Sequence, residues 1–330
     1  MKESAIRPKK LLNEYIRLCK KDSLDCFKGK NFRKINCVAC GGNKIKDLFT
    51  KETFVYSLCD SCKTVFLNPR PDIEAFDNFY KNSLSAKYWS DVFMPAVSES
   101  RKELIMRPRA ERVGKISGQE KIASFSIIDV GAGYGTFLEE FKMIFPNCNP
   151  IAIEPANNLA QRCENLGFEV VNSIVEDVSE EYNQRGDIVV CFEVFEHVHD
   201  PFDFLKNLKR LCKKGGLILF TTLSIDGFDL SILGSDSKQI HPPHHINFLS
   251  IRGFEDLFKR VGLKEVKVST PGLLDVDIVR NFFNDNPSWI GKNPFLDKII
   301  LNEKLGEAFQ EFLSQNSLSS HAWVYCTNET

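Results

Sequence analysis

The sequence has no apolar run long enough to span a bilayer, which excludes a transmembrane helix. Residues 1–20 are basic but lack the apolar core of a signal peptide, so a cytoplasmic protein is expected. Neither sign of charge is in excess: 43 Lys and Arg against 44 Asp and Glu leave a net charge of −1. That balance argues against nucleic-acid binding by bulk electrostatics, although a local basic patch is compatible with it. The eleven cysteines are not an even set, and in a large chain without an export signal a disulfide scaffold is not expected. What is left is ordinary for a folded protein, 43 % hydrophobic and 26 % charged over 330 residues, enough for one large α/β domain with small appendages.

The most informative stretch is Ile127–Phe137, IIDVGAGYGTF. An apolar run ends on Asp129, three glycines come next at Gly131, Gly133 and Gly135, and a helical pattern opens at Thr136, which reads as strand, tight turn and helix. Glycines at alternate positions allow positive φ and let a ligand approach where a Cβ would collide. The spacing is not the G-x-G-x-x-G that seats a pyrophosphate on a helix N-terminus. It resembles the first motif of class I S-adenosylmethionine (SAM) methyltransferases, whose ligand carries a cationic sulfonium and an ammonium suited to an acidic neighbourhood.

The later segments keep the order of such a fold. Pro150–Ile153 reads as a second strand ending on Glu154, where a carboxylate can accept from two vicinal ribose hydroxyls. A strand is expected near Phe168–Val171 after a helix capped by Gly167. Gly186–Phe192 is an apolar fourth strand, buried on both faces, running into Glu193-Val194-Phe195-Glu196-His197. The stretch from Cys191 through a helix bearing Phe202, Leu205, Leu208 and Leu211, a Lys213–Gly216 turn and a fifth strand Leu217–Thr222 again resembles the SAM methyltransferases, closest to those acting on small molecules. A sixth strand over 263–269, a 271–320 insertion with a helix over 296–313, and a last strand over 322–326 complete the pattern. The expected fold is α/β: a doubly wound, seven-stranded Rossmann-like sheet whose last two strands form an antiparallel hairpin.

Ligands of such sheets sit beyond the carboxyl ends of the strands. The resemblance therefore assigns SAM to Asp129, Gly131, Gly133, Tyr134, Gly135, Glu154, Pro155, Asp177, Phe192 and Glu193. Asp177 would lie beside the adenine amino group, with Glu176 as the alternative; the structural role open to Asp177 is a helix cap. Methyl transfer needs the nucleophile aligned within about 3 Å of the methyl group, and a hydroxyl nucleophile also needs a base. Histidine suits that task near neutral pH. His197 comes after the fourth strand, and His241, His244 and His245 cluster in QIHPPHHINF after the fifth, before a helix capped by Ser250. One of these is the expected base; a second metal site in the HPPHH run is the alternative, but no acid or cysteine lies near it in the sequence.

Upstream, Cys37-x-x-Cys40-Gly41-Gly42 and Cys59-x-x-Cys62 place four thiolates for a tetrahedral Zn²⁺, a closed and therefore structural site. The remaining cysteines, Cys19, Cys26, Cys148, Cys163, Cys191, Cys212 and Cys326, read as small buried hydrophobes. Phe54–Leu58 reads as a strand of the ribbon, and the prolines of Thr64–Pro71 are expected to end regular structure there. The organisation expected is a helical segment over 1–36, exposed to solvent; a zinc ribbon over 37–68; a helical, aromatic-rich lid over 69–115 carrying Tyr80, Tyr88 and Trp89; and a methyltransferase domain over 116–330.

A zinc ribbon ahead of a SAM methyltransferase is similar to sugar C-methyltransferases that act on nucleotide-linked deoxy sugars. Those carry a further α/β domain, for which the residues after Ser269 are too few, so O-methylation, or else C-methylation, of a sugar or nucleotide-sugar precursor of a surface polysaccharide or secondary metabolite is expected. The acceptor is then a small, sugar-containing molecule, and the insertion could serve the substrate side or a homodimer. Two other readings stand beside this: a macromolecular methyltransferase whose ribbon recognises RNA or protein, and a non-catalytic SAM-binding module. The intact Asp129, Glu154 and glycines argue against the module. The absence of an Asn-Pro-Pro-Tyr-type motif after the fourth strand argues against N-methylation of bases.

Overall fold

A computed structural model of the chain describes residues 1–118 and 124–329; residues 119–123, near the start of the expected methyltransferase domain, and residue 330 at its end lie outside the described residues. The strands run in the order β1 (Phe32–Arg33), β2 (Ile45–Lys51), β3 (Phe54–Cys59), β4 (Val65–Leu67), β5 (Arg70–Pro71), β6 (Phe125–Val130), β7 (Cys148–Ile153), β8 (Glu169–Val171), β9 (Gly186–Phe192), β10 (Cys212–Leu223), β11 (Asn247–Phe248), β12 (Lys267–Ser269) and β13 (His321–Thr327). The chain divides into two compact units, one of residues 1–97, 223–254 and 268–323, the other of residues 98–222, 255–267 and 324–330.

The seven-stranded sheet has the order β12-β13-β10-β9-β6-β7-β8. β8, β7, β6, β9 and β10 pair in parallel, joined through the helices Thr136–Ile144, Asn157–Asn165 and Pro201–Leu211. β6 runs between β7 on one side and β9 on the other, so the strand order reverses there and a crevice opens at its carboxyl end. Central strands covered on both faces must be apolar throughout, and Ile188–Cys191 and Ile127–Val130 are buried, Asp129 included.

Two expectations about this sheet change, and one about the insertion before its last strand. Lys213–Gly216 is part of β10 and not a turn: the Gly215 amide donates to Asn328 O (2.7 Å) and the Asn328 amide to Gly216 O (2.8 Å), holding the segment extended. The sixth strand shortens to β12, because Gly262 (φ +74°) and Glu265 (φ +50°) keep the preceding residues out of extended geometry. The helix expected over 296–313 is two, Pro294–Ile300 and Glu303–Gln315; Asn302 accepts from the Leu305 amide (3.0 Å) and starts the second.

In the other unit, β11-β4-β3-β2 form a four-stranded sheet over a core of Phe27, Phe54, Tyr56, Phe76, Phe79 and Phe248. Thr64–Pro71 is therefore not irregular, since β4 pairs antiparallel with both β3 and β11 and β5 with β1. The N-terminal helix, Lys9–Asp25, is not simply solvated as expected. It buries Tyr15, Leu18, Cys19, Asp22 and Ser23, and Tyr15 and Cys19 pack with Phe93 and Val97. Helical turns run from Ile73 to Ser117, with wider π-type turns at Trp89–Phe93 and Lys102–Met106. Among the described residues no helix is long and apolar enough to cross a membrane.

Candidate functional site

The glycine turn is closed by its neighbours. The Gly131 and Ala132 amides donate to Ile153 O (2.8 and 3.2 Å), tying the end of β6 to the end of β7. Glu154 is buried, and its carboxylate returns to the turn: Oε2 accepts from the Gly133 amide (2.8 Å) and Oε1 from the Ala156 amide (2.9 Å). Burial pushes the Glu154 carboxyl up, and these two amides oppose the shift. Each oxygen keeps a second lone pair for a further donor. Gly131 (φ +77°) has no room for a side chain, since a Cβ would stand 2.6 Å from Val194 Cγ2, whereas a Cβ on Gly133 (φ +55°) meets no protein atom within 4 Å.

Asp129 is pushed up to about 7, first by burial, with Arg109 opposing and Glu154 adding to the shift. Arg109, on the helix Arg107–Ser117, is a residue the sequence did not single out. It is buried, lies 4.5 Å from the centre of the Phe192 ring, and donates from Nη2 to Glu193 Oε1 (2.9 Å); its Nη1 has no hydrogen-bond partner among the described residues. Glu193 holds a left-handed backbone (φ +56°), a conformation costing a non-glycine residue about 1–2 kcal/mol. Thr221 Oγ1 donates to the same Oε1 (2.6 Å). Buried Glu196, also missed, accepts from Thr222 Oγ1 (2.8 Å). Neither arginine nor threonine lies near these acids in sequence, so no local pattern could have marked them.

Of the residues assigned to SAM by resemblance, Asp129, Gly131, Gly133, Gly135, Glu154, Phe192 and Glu193 therefore gather at the carboxyl ends of β6, β7 and β9. Tyr134 is half-buried under the Arg162 guanidinium (5.3 Å), and Pro155 is exposed after Glu154. Asp177 ends the short turn Val175–Asp177, exposed, with no side-chain hydrogen bond among the described residues. His197 ends the turn Phe195–His197 beyond β9 and is half-buried.

The other candidate histidines, His241, His244 and His245, belong to the unit that carries the four clustered cysteines. His241 Nδ1 lies 3.0 Å from Lys238 O, and His245 Nδ1 2.7 Å from Gln239 O. A carbonyl only accepts, so both Nδ1 atoms carry the proton and both Nε2 atoms present a lone pair in the neutral ring. Tyr15 Oη lies 3.5 Å from His241 Nε2. His244 is buried among the rings of Tyr15, Phe79 and Tyr80, with Nε2 2.9 Å from Ser85 Oγ. Ser85 in turn donates to Asp22 Oδ2 (2.5 Å). The acid absent from the sequence around HPPHH is thus supplied by the N-terminal helix.

Cys37, Cys40, Cys59 and Cys62 converge, with all four sulfurs within 4.8 Å of one another. Cys37 and Cys62 are 3.5 Å apart and Cys40 and Cys59 3.6 Å. Four sulfurs at about 2.3 Å from a tetrahedral zinc would be separated by about 3.8 Å, so the cluster fits the ion. Left-handed Gly41 and Lys63 shape the two knuckles.

A family model described as a methyltransferase domain matches residues 95–268. The chain belongs to this family. The methyltransferase is 29 % identical over 171 residues to the ubiquinone biosynthesis O-methyltransferase of Colwellia psychrerythraea, covering 48 % of this chain and 70 % of that one. It is 27 % identical over 175 residues to malonyl-[acyl-carrier protein] O-methyltransferase 2 of Ilyobacter polytropus, covering 50 % and 66 %. The match to the ubiquinone biosynthesis O-methyltransferase of Pseudomonas syringae pv. tomato spans only 50 % of that relative's length. Among solved structures, a possible histamine N-methyltransferase from Thermotoga maritima aligns over 72 % of this chain and 99 % of its own (16 % identity, TM-score 0.44). The plantazolicin methyltransferase in complex with SAH aligns over 76 % and 93 % (16 % identity, TM-score 0.48). The protein is thus a class I, SAM-dependent methyltransferase, an enzyme built on a Rossmann-like α/β sheet.

Proposed function

We propose that this methyltransferase transfers the SAM methyl group to an oxygen of a small, sugar-containing acceptor. SAM supplies an electrophilic methyl on a sulfonium. Glu154 accepts from the ribose hydroxyls with the lone pairs left over from Gly133 and Ala156, and the Gly133 amide edge lies against the cofactor. Asp129 and Glu193 provide the negative field for its cationic groups, while Phe192 and Tyr134 offer apolar faces and Asp177 meets the adenine. The observation that carries this reading is the Glu154 carboxylate closed on the glycine turn with its outer lone pairs still available.

Oxygen is favoured as the acceptor atom because the curated relatives are O-methyltransferases, and because an alcohol needs the base that a histidine with a fixed tautomer supplies. The base is one of His197, His241, His244 and His245, the first ending the turn after β9 and the others in the loop that follows β10 in the sequence. A sugar is favoured by the half-buried Trp89 against Tyr15 (4.9 Å) and the exposed edge of Tyr80, since flat rings suit the apolar faces of a pyranose. It is favoured too by the cysteine cluster ahead of the catalytic domain. Zn²⁺ on Cys37, Cys40, Cys59 and Cys62 has no open position and serves folding alone.

Calorimetry with SAM and S-adenosylhomocysteine tests the cofactor assignment, with loss of binding expected in Glu154→Ala. A screen of nucleotide sugars for the mass gain of one methylene tests the acceptor. Methylation of an RNA or protein extract with all sugars inert would refute the sugar reading.

A further inference from the structure

We propose that Asp22 and Ser85 are positioning residues for His244: the N-terminal helix fixes that imidazole's proton on Nε2 and leaves Nδ1 as its basic nitrogen. The inference deepens the reading of this loop as the source of the base.

Ser85 Oγ stands 2.5 Å from Asp22 Oδ2 and 2.9 Å from His244 Nε2. A carboxylate has no proton to give, so the single hydroxyl proton goes to Asp22 and the serine oxygen accepts from Nε2–H. The order is acid, hydroxyl, imidazole. In a hydrolase triad the imidazole lies between the other two and activates the hydroxyl; here Ser85 gives its proton to the acid and is no nucleophile. Asp22 is itself held by the amides of Ser85 (2.7 Å) and Leu84 (3.2 Å). The next residue, Ser23, donates to Pro242 O (2.9 Å), so the helix holds the loop at Pro242 directly and at His244 through Ser85.

Among the described residues, the titratable rings packed against His244 are Tyr15 on the N-terminal helix, Tyr80 on the helix Ile73–Asn82 and His241 in the loop itself, with Cys19 beside Tyr15 and Ser85. Burial pushes Cys19 up to about 12 and Tyr15 well above its ordinary value, so both stay neutral. The Asp22 carboxylate, reached through Ser85, favours the imidazolium.

The test is a histidine-¹⁵N NMR titration of the full chain, with His244 assigned by difference against His244→Asn. The wild-type ring should show the Nε2–H tautomer. Asp22→Asn and Ser85→Ala should lower its titration midpoint by about one pH unit, whereas Ser85→Thr, which keeps the hydroxyl, should restore it. An unchanged midpoint in Ser85→Ala, or an Nδ1–H tautomer in the wild type, overturns the proposal; the serine pair serves even where Asp22→Asn does not fold. Turnover of His244→Asn bears on the base reading alone and the titration on the relay alone, so the two failures are distinguishable.

Discussion

Glu154 Oε2 accepts from the Gly133 amide at 2.8 Å, so the acid at the end of β7 is also the clasp of the glycine turn at the end of β6. The same carboxylate bonds Ala156 through its other oxygen. Glu154→Gln should keep the shape, replace one acceptor by a donor and set that donor against a backbone amide or a ribose hydroxyl. Losing a hydrogen bond to a charged acceptor costs about 1.5–3 kcal/mol, so SAM affinity should fall by about 10- to 100-fold, read by calorimetry. Undiminished affinity would separate Glu154 from the cofactor.

The two glycines flanking Ala132 should respond differently to alanine. At Gly131 the new methyl collides with Val194 and the backbone is left-handed, so Gly131→Ala should melt well below wild type. At Gly133 only the left-handed strain remains, about 1–2 kcal/mol, because no protein atom stands within 4 Å. Gly133→Ala should therefore fold and lose most of the stabilisation that S-adenosylhomocysteine gives the wild type in a thermal melt.

The contrast between these residues and Arg109 explains what a sequence can carry. Strand, glycine turn and helix are contiguous, so the order Asp129, Gly131–Gly135, Glu154 could be read from spacing alone. Paired Cys-x-x-Cys knuckles are legible for the same reason. Arg109 meets Glu193, and Asp22 reaches His244 through Ser85, only because the chain has folded. Asp22 and Ser23 are polar residues in a helix whose buried face a hydrophobic pattern does not reveal. β11 has two residues, too few to show any period, yet it completes the sheet beside the cysteine knuckles. The breaks at Asn302 and Glu265 depend on a cap and on one left-handed residue, either of which a helical or alternating pattern runs straight through.

Asp229 gives stability a pH dependence. Its carboxyl is fully buried and pushed up to about 7, by burial first and then by Asp275, with Ser320 and Gln239 opposing. The folded state thus holds a proton that the unfolded chain releases near the ordinary aspartate value. This contribution is fully present below that value and is lost as pH rises to about 7, beyond which it is constant. Buried Asp129, also pushed up to about 7, acts in the same direction. Denaturant midpoints should fall from pH 5 to pH 7. Asp229→Asn, neutral at every pH, should flatten that slope and exceed the wild type at pH 8 by on the order of 2 kcal/mol; an unaltered slope would place the charge elsewhere.

Zinc should matter to folding and not to the methyl-transfer step. The cysteine knuckles are locked to the start of the helix Ile251–Val261: Ser250 bonds Cys62 O and accepts from the Gly253 amide (2.8 Å), and a side chain at Gly253 would press within 2.3 Å of Thr64 Oγ1. Loosening Cys62 therefore loosens the cap between the histidine loop and that helix. Removing a structural zinc forfeits the binding free energy that folding draws on, so chelation should lower the melting temperature, and re-addition of Zn²⁺ should restore it. Cys37→Ser and Cys59→Ser should melt lower with or without added metal. SAM affinity per folded molecule should stay near wild type in all three cases, because the cysteines are not among the residues that gather at the carboxyl ends of β6, β7 and β9. Metal-free protein with an unchanged melting curve would reduce the four cysteines to a packed cluster of thiols.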